Sequence, residues 1–445
     1  MIVMKFGGTS IGTAERIRNA VRIVKERKGK KPVVVVSALS KVTNSLLKAA
    51  EDSLHKKNGV DAIRERHYEI MKELGLSREL IEPELNELAE LLTGINYIKE
   101  LTPRTIDYVT SFGERLSSKI FAAYARKAGL KASAHCTYDL GFITDSQFGD
   151  ASTLPETYPS LRKSIKKLAK KEIPIITGFI AKDRNGSITT IGRGGSDLTA
   201  SIIGIAVGAE EIQIWTDVDG MLTADPRVVR KARTVPIISF DEASELAYFG
   251  AKVLHPKSIL PAMEKDIPVR VLNTMNPENR GTEILRHTKH SNRITSIACK
   301  KGISVINIHS ARMLLAHGFL HKIFRVFDQH SVSVDMIATS EVNVSITVSG
   351  KADIEMAIRE LRHFADVKVE KSKASICVVG AGLKRIPGMA ATVFGALGKE
   401  KINVEMTSQG ASEINVGFVV NEDDADRAIR SLHSELIEKD GGVFK

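Results

Sequence analysis

Two short apolar runs open the chain, Ile2-Val-Met-Lys-Phe6 and Val33-Val-Val-Val-Ser37, with a helical stretch from about 14 to 27 between them. Runs of this kind are strands buried on both faces, and two of them joined through a helix lie parallel. The chain is thereby committed to an α/β fold, a mostly parallel sheet with helices on both faces. Strands resume at 173–177, 212–216 and 268–272, and the apolar stretch 198–207 reads as a buried helix. Between 45 and 130 strand character is lost. Ile70, Met71 and Leu74, then Leu85, Leu88, Leu91 and Leu92, recur at helical spacing.

The α/β pattern stops near residue 285, and the last third repeats itself. Val332-Ser-Val-Asp-Met336 is echoed by Ile402-Asn-Val-Glu-Met406, and Ser340-Glu-Val-Asn-Val344 by Ser412-Glu-Ile-Asn-Val416. The first copy reads as strand 303–309, helix 317–330, strands 332–339 and 342–348, helix 351–363 and strand 366–370, a ferredoxin-like βαββαβ unit. The second copy ends with a helix at 424–437 and lacks a last strand. The apolar segment Ile294–Cys299 is expected to supply it, within a stretch that also contains a linker. The expected division is 1–285, linker and strand 286–302, then α+β units at 303–371 and 372–445.

Composition narrows the classes. With 43% apolar and 26% charged residues in 445, the chain is globular rather than disordered. No apolar run approaches the roughly 20 residues that span a bilayer. Met1-Ile2-Val3-Met4-Lys5 lacks signal-peptide character, and Cys136, Cys299 and Cys377 are too scattered for a disulfide framework, so a cytoplasmic protein is expected. Net charge is +11, which favours anions. Aromatics are only 5%, with Trp215 the single tryptophan, so interleaved nucleic-acid contacts are disfavoured. The basic run 161–171 places Leu161, Ile165, Leu168 and Ala169 at helical spacing and reads as a solvated helix face.

Four motifs carry chemistry. Lys5-Phe-Gly-Gly-Thr-Ser10 ends a strand with paired glycines, a lysine and a following helix, an arrangement suited to an anion. It is not a G-x-x-x-x-G-K-[ST] loop. Thr190-Ile-Gly-Arg-Gly-Gly-Ser-Asp197 precedes the buried helix. Ser196 or Asp197 can cap that helix, while Arg193 offers a fork for a carboxylate or phosphate. Ile214-Trp-Thr-Asp-Val-Asp-Gly220 and Thr223-Ala-Asp-Pro-Arg227 crowd polar residues at a strand's end. Asp217, Asp219 and Asp225 match no calcium loop and also suit turn bonding. In Gly250-Ala-Lys-Val-Leu-His-Pro256, His255 reads as a packed or capping residue and Lys252 as a phosphate contact. Together these parts describe a nucleotide-dependent phosphotransferase with a duplicated regulatory module.

Lys5-Phe-Gly-Gly-Thr-Ser10, Ser37-Ala38 with Thr43, Ser111-Phe-Gly-Glu114, Gly192-Arg-Gly-Gly-Ser-Asp197, Trp215-Thr-Asp217 and Lys252-Val-Leu-His-Pro256 resemble, in order, the motifs of the aspartate kinases. These belong to the amino-acid kinase superfamily. The repeat resembles their paired ACT domains, and no homoserine dehydrogenase domain follows, as in monofunctional members. The resemblance implies ATP-dependent, Mg2+-assisted phosphorylation of L-aspartate to 4-phospho-L-aspartate, the first step toward lysine, threonine, methionine and isoleucine. It makes Lys5 and Asp197 catalytic, with Arg193 on the substrate α-carboxylate and Glu114 on its ammonium. Ser37, Thr43, Phe179 and Ser196 would line the pocket. Lys5, Gly7, Gly8, Ser10, Thr216, Asp217, Leu222, Arg227 and Lys252 would hold the nucleotide, with Mg2+ carried by ATP rather than by side chains. Leu222 departs from an often aromatic position, so stacking gives way to apolar contact. Met313, Phe319, Leu320, Ser333, Val334, Asp335, Thr339, Ser340 and Glu341 resemble an effector site, for lysine in preference to threonine, in a homodimer paired through ACT domains. The competing readings are a kinase for another amino acid, a non-enzymatic sensor and a nucleic-acid-binding protein.

Overall fold

The computed structural model describes residues 1–55, 59–249, 254–288, 293–311, 317–350, 352–409 and 414–439. They form two compact units. The first comprises Met1–Met221, Pro236–Phe240 and Val253–His287, and the second Leu222–Val235, Asp241–Lys252 and Thr288–Lys445.

The first unit starts with β1 (Ile2–Phe6), α1 (Ala14–Glu26) and β2 (Pro32–Val36), followed by α2 (Val42–Ser53), α3 (Val60–Leu74), α4 (Glu82–Ile98) and α5 (Pro103–Lys127). Then come β3 (Ala132–His135), β4 (Ile143–Thr144), α6 (Thr157–Leu168), β5 (Ile173–Thr177), β6 (Ile180–Asp183), β7 (Ile188–Thr190), α7 (Gly195–Val207), β8 (Glu211–Thr216) and β9 (Ile237–Ser239). After α8 (Phe240–Tyr248), which runs into the second unit, α9 (Pro256–Glu264), β10 (Val269–Asn273) and β11 (Thr282–Leu285) complete it. The main sheet runs β3-β5-β2-β1-β8-β10-β11-β9, and its first six strands are parallel.

All five residues of β1 and of β2 are buried, as an interior parallel sheet requires. Ile2, Met4 and Phe6 alternate into a core built with α1 to α5. Phe6 stacks on Trp215 and contacts Phe121 there. The basic run lies on α6 and just beyond it, with Leu161 and Ile165 buried. Sequence periodicity did not show β4, β6 and β7, which form a separate three-stranded sheet. They are two to four residues long, too short for a period to register.

The second unit holds β12 (Arg293–His309), α10 (Phe319–Gln329), β13 (Val334–Thr339), β14 (Asn343–Ser349), α11 (Glu355–Leu361), β15 (Asp366–Ala381), α12 (Met389–Lys399), β16 (Met406–Ser408), β17 (Asn415–Asn421) and α13 (Ala425–His433). One sheet runs β13-β14-β12-β15-β17-β16. β12 and β15 each serve both halves. The 303–309 part of β12 pairs with β14, and its 305–309 part also with 366–370 of β15, whereas 293–301 pairs with 374–381, and 373–379 in turn pairs with β17. The sequence reading separates the apolar segment 294–299 from a strand that begins at 303. One strand instead passes through 300–302 with register shifts, and Gly302 takes φ +67°. Among the described residues no helix is long and apolar enough to cross a membrane.

Candidate active site

The strand order reverses at β1, with β2 on one side and β8 on the other. Ligands of parallel sheets bind beyond the carboxyl ends of strands at such a reversal. β1 ends there in Gly7-Gly8 and β8 in Thr216-Asp217. Gly7 N–H donates to Trp215 O at 3.1 Å, and Ser10 Oγ donates to the same carbonyl at 3.1 Å. Thr274 Oγ1 donates to Ser10 Oγ at 2.7 Å, so Ser10 ties strand ends together. A Cβ on Gly8 would come within 2.7 Å of Ala38 O, which is why this position needs glycine.

Lys5 alternates with Met4 and Phe6 and so faces the side of α7. Its Nζ lies 2.6 Å from Asp197 Oδ1, and both side chains are largely buried. The contact is an ion pair without the alignment of a hydrogen bond. Asp197 is the third residue of α7, where the helix dipole favours a carboxylate. Gly194, at φ +72°, turns the chain into that helix.

Glu114 lies within α5 and is 3% exposed. Its Oε1 accepts the Ala38 N–H at 2.9 Å, while Oε2 is buried without a partner. Burial pushes its pKa up to about 8, against the opposing pull of the Ala38 amide, its own backbone amide and the Lys5 charge. A buried acceptor left unpaired costs about 1–3 kcal/mol. Such an atom is suited to receive a donor from a ligand.

Three further expected elements belong to the same unit. Phe179 adopts φ +66°, and its N–H donates to Thr199 Oγ1 at 3.0 Å. A Cβ on Gly195 would lie 2.6 Å from the Phe179 ring, and one on Gly178 would lie 2.6 Å from Ser196 Cβ. Ser37 O accepts from Ser117 Oγ at 2.7 Å, and Thr43 lies half-buried on the first turn of α2. Arg193 is exposed and makes no hydrogen bond or ion pair with any described residue. Its loop is held by Asp107, which the sequence reading missed. That buried carboxylate accepts from Thr190 N at 2.8 Å, Thr190 Oγ1 at 2.7 Å and Gly149 N at 3.0 Å. A lone aspartate on a helix carries no signal of partners some 80 residues away.

The other expected residues are distributed more widely. Thr216 Oγ1 donates to Asp217 Oδ1 at 3.2 Å, and Asp217 is exposed. Asp219 Oδ1 is occupied by Asn273 at 2.8 Å and Asn276 at 3.3 Å. Leu222 and Arg227 belong to the second unit, where Arg227 is bound through two nitrogens to Asp225. His255 precedes α9, and its Cβ packs where a side chain on Gly194 would stand. Lys252 and Met313 lie outside the described residues.

In the expected effector region, Asp335 is already engaged. Lys300 Nζ lies 2.5 Å from its Oδ2, and Tyr248 Oη donates to Oδ1 at 2.7 Å. Tyr248 and Lys300 were invisible as partners in the sequence. Phe319 is buried in the core of its half, edge-on to Phe364. Leu320 and Ser333 are exposed and Val334 is half-buried. Thr339, Ser340 and Glu341 are exposed at a strand end, where Ser340 N–H donates to Asn343 O at 2.8 Å.

The catalytic unit therefore offers a buried ion pair, a buried carboxyl with a spare oxygen that senses the Lys5 charge, and, on the loop before α7, an unengaged guanidinium. These suit a phosphate, an ammonium and a carboxylate. Residues 1–273 match the model of the amino acid kinase family, and 303–363 and 376–436 match that of the ACT domain. The chain is 42% identical over 460 residues to aspartokinase 2, chloroplastic, of Arabidopsis thaliana, covering 98% of this chain and 84% of that one. E. coli aspartokinase III in complex with lysine and aspartate (T-state) superposes with TM-score 0.83 at 32% identity, covering 98% of this chain and 99% of that one. The same enzyme in complex with aspartate and ADP (R-state) gives 0.81 at 32% identity, with the same coverage.

Proposed function

The chain belongs to the aspartokinases of the amino-acid kinase family, ATP-dependent carboxyl kinases that carry ACT domains, and we propose how its own residues divide that work. The observation that carries the assignment is the buried pair of Lys5 and Asp197, 2.6 Å apart at the reversal of the sheet.

Arg193 grips the α-carboxylate of L-aspartate, and Glu114 accepts its ammonium through the oxygen that is otherwise unpaired. Ser37, Thr43, Phe179 and Ser196 line the space between. A side-chain carboxylate oxygen of the substrate attacks the γ-phosphorus, the bond to the β–γ bridging oxygen breaks, and ADP leaves. The substrate carboxylate is itself the nucleophile, so no protein base is needed. Lys5 stabilises the charge on the transferring phosphoryl group. Asp197 orients Lys5, and Gly7, Gly8, Ser10, Thr216, Asp217, Leu222, Arg227 and Lys252 serve the nucleotide. Arg227 would exchange Asp225 for phosphate in doing so.

Mg2+ fits as a passenger on the nucleotide phosphates, since the carboxylates at the site are already committed to Lys5 or to an ammonium and Asp217 alone is exposed. Bound there, it would neutralise charge on the β- and γ-phosphate oxygens.

We expect Arg193→Ala to raise the aspartate KM about a hundredfold while leaving the ATP KM within twofold, the loss of a charge-assisted bidentate contact. Steady-state ADP release with each substrate varied measures both. An unchanged aspartate KM removes Arg193 from the site.

Regulation follows the ACT pair, in a homodimer, with lysine as effector in preference to threonine. Support comes from the E. coli aspartokinase III complex with lysine and from the carboxylate of Asp335, which already holds one lysine ammonium. An effector's ammonium would compete with Lys300 there. Asp335→Ala is expected to raise the lysine concentration for half-inhibition at least tenfold with uninhibited kcat within twofold. Inhibition at the original concentration would place the effector elsewhere.

A further inference from the structure

Residues Leu222–Val235 leave the catalytic unit after Met221 and return to it at Pro236, yet they are built into the second unit. Ala224 and Val229 lie in one hydrophobic core with Ile297, Val378, Phe418 and Leu432. Ile297 N–H donates to Thr223 O at 2.9 Å, and Ser296 Oγ donates to Leu222 O at 2.7 Å. Thr223 and Arg233 close the segment on itself, with Thr223 N–H donating to Arg233 O at 2.9 Å and Arg233 N–H to Thr223 Oγ1 at 3.1 Å.

A polar chain that starts from buried Thr223 and His433 and ends at the surface then fixes this closed segment. Thr223 Oγ1 lies 2.9 Å from His433 Nε2, and His433 Nδ1 lies 3.0 Å from Glu438 Oε1. Lys231, from the same segment, reaches Glu438 Oε2 at 2.7 Å. His433 is 1% exposed. Thr223 Oγ1 already accepts the Arg233 N–H, so its own hydroxyl proton is available for His433 Nε2, with the ring proton on Nδ1 facing Glu438.

The backbone is shaped for this contact. α13 ends at His433 and passes into a π-helical turn, Ser434–Glu438. In an α-helix, residues five apart point about 140° away from each other. A π turn closes i→i+5 hydrogen bonds and so is wider than an α turn, which brings Glu438 back toward the face of His433. A regular continuation of α13 would separate the two. Such turns are rare overall and frequent at functional sites.

We propose that His433, aimed by Glu438, is a positioning residue for nucleotide use: it fixes through Thr223 the segment that carries Asp225 and Arg227. This rests on the reading of Arg227 as a nucleotide contact. Its consequence is that loss of the Thr223–His433 contact alters ATP affinity before it alters chemistry.

The test uses the full chain and three variants. Thr223→Val keeps the shape and removes the hydroxyl. We expect the ATP KM to rise about tenfold, with kcat and the aspartate KM within twofold and Tm lower by several degrees, because His433 Nε2 and the Arg233 N–H lose a buried partner. Thr223→Ser restores the hydroxyl and is expected to restore the ATP KM. An unchanged ATP KM in folded Thr223→Val overturns the proposal. So does an equal rise in both KM values with a lowered Tm that serine fails to rescue, which is a structural role only. Arg227→Ala, measured alongside, separates the two claims. If it raises the ATP KM while Thr223→Val does not, the nucleotide reading stands and the positioning role falls. If Thr223→Val raises the ATP KM and Arg227→Ala does not, His433 positions the segment through a residue other than Arg227.

Discussion

Replacing Lys5 by methionine is expected to lower kcat by roughly a thousandfold while the KM values for aspartate and ATP change only a few-fold. The reason is where the charge is needed. A preorganised donor in a dry site acts on charge that develops in the transition state, and its removal typically costs a hundred- to a thousandfold in kcat. Methionine preserves the apolar stem, which is largely buried in β1. It leaves Asp197 as a buried carboxylate without its cation, which destabilises the fold by about 3–5 kcal/mol. The double variant Lys5→Met with Asp197→Asn removes that stranded charge. It is expected to recover most of the stability and none of the rate. Thermal unfolding with steady-state kinetics distinguishes these effects, and a single variant whose kcat stays within tenfold of the parent would displace Lys5 from the reaction.

The second large effect concerns Glu114. Burial holds its pKa at about 8 against an unperturbed 4.5. The folded state therefore keeps a proton that the unfolded chain gives up. By linkage this costs nothing below about pH 4.5, grows as pH rises, and is complete above about pH 8. Glu114→Gln removes the penalty. Its stability relative to the parent should rise between pH 5 and pH 9, reaching a few kcal/mol, roughly, at the upper end. Catalysis moves in the opposite direction. An aspartate ammonium is best received by the ionised carboxylate, so the parent's aspartate KM falls as pH rises through about 8. The glutamine variant has a KM about a hundredfold higher, without that slope. Parallel pH dependence of KM in parent and variant would take Glu114 out of substrate binding.

The legibility of the molecule in its sequence follows from the range of each interaction. β1 and β2 were readable because full burial writes a continuous apolar run, and α7 because apolar residues dominate its stretch 198–207. The 45–130 region was readable as helical because α2 to α5 present a repeating buried face. Short strands such as β4 and β7 left no period. β12 and β15 were read as shorter pieces, 294–299 and 303–309 for the first and 366–370 for the second, whereas partner strands on both sides carry the chain through.

At the site, residues that act through backbone approach were visible as glycine clusters. Partnerships were not. Nothing local marks Asp107 as the anchor of the Arg193 loop, Lys300 as the occupant of Asp335, or His433 as the support of Thr223. Each joins positions more than 30 residues apart, and each depends on which faces the folded chain brings together. The effector residues show the same limit from the other side. Phe319 matched a pattern, yet its ring is spent on the core beside Phe364.

The most direct measurement of the central claim is ATP-dependent trapping of the acyl phosphate with hydroxylamine. Purified full-length protein is incubated with L-aspartate, ATP and Mg2+, and aspartyl hydroxamate is quantified against controls lacking each component. The account predicts hydroxamate that requires both substrates, falls about a thousandfold in Lys5→Met and is suppressed by added lysine. Suppression by threonine instead would keep the chemistry and change the effector. Folded protein that forms no hydroxamate from L-aspartate would contradict the assignment of Lys5, Asp197, Arg193 and Glu114 to this reaction.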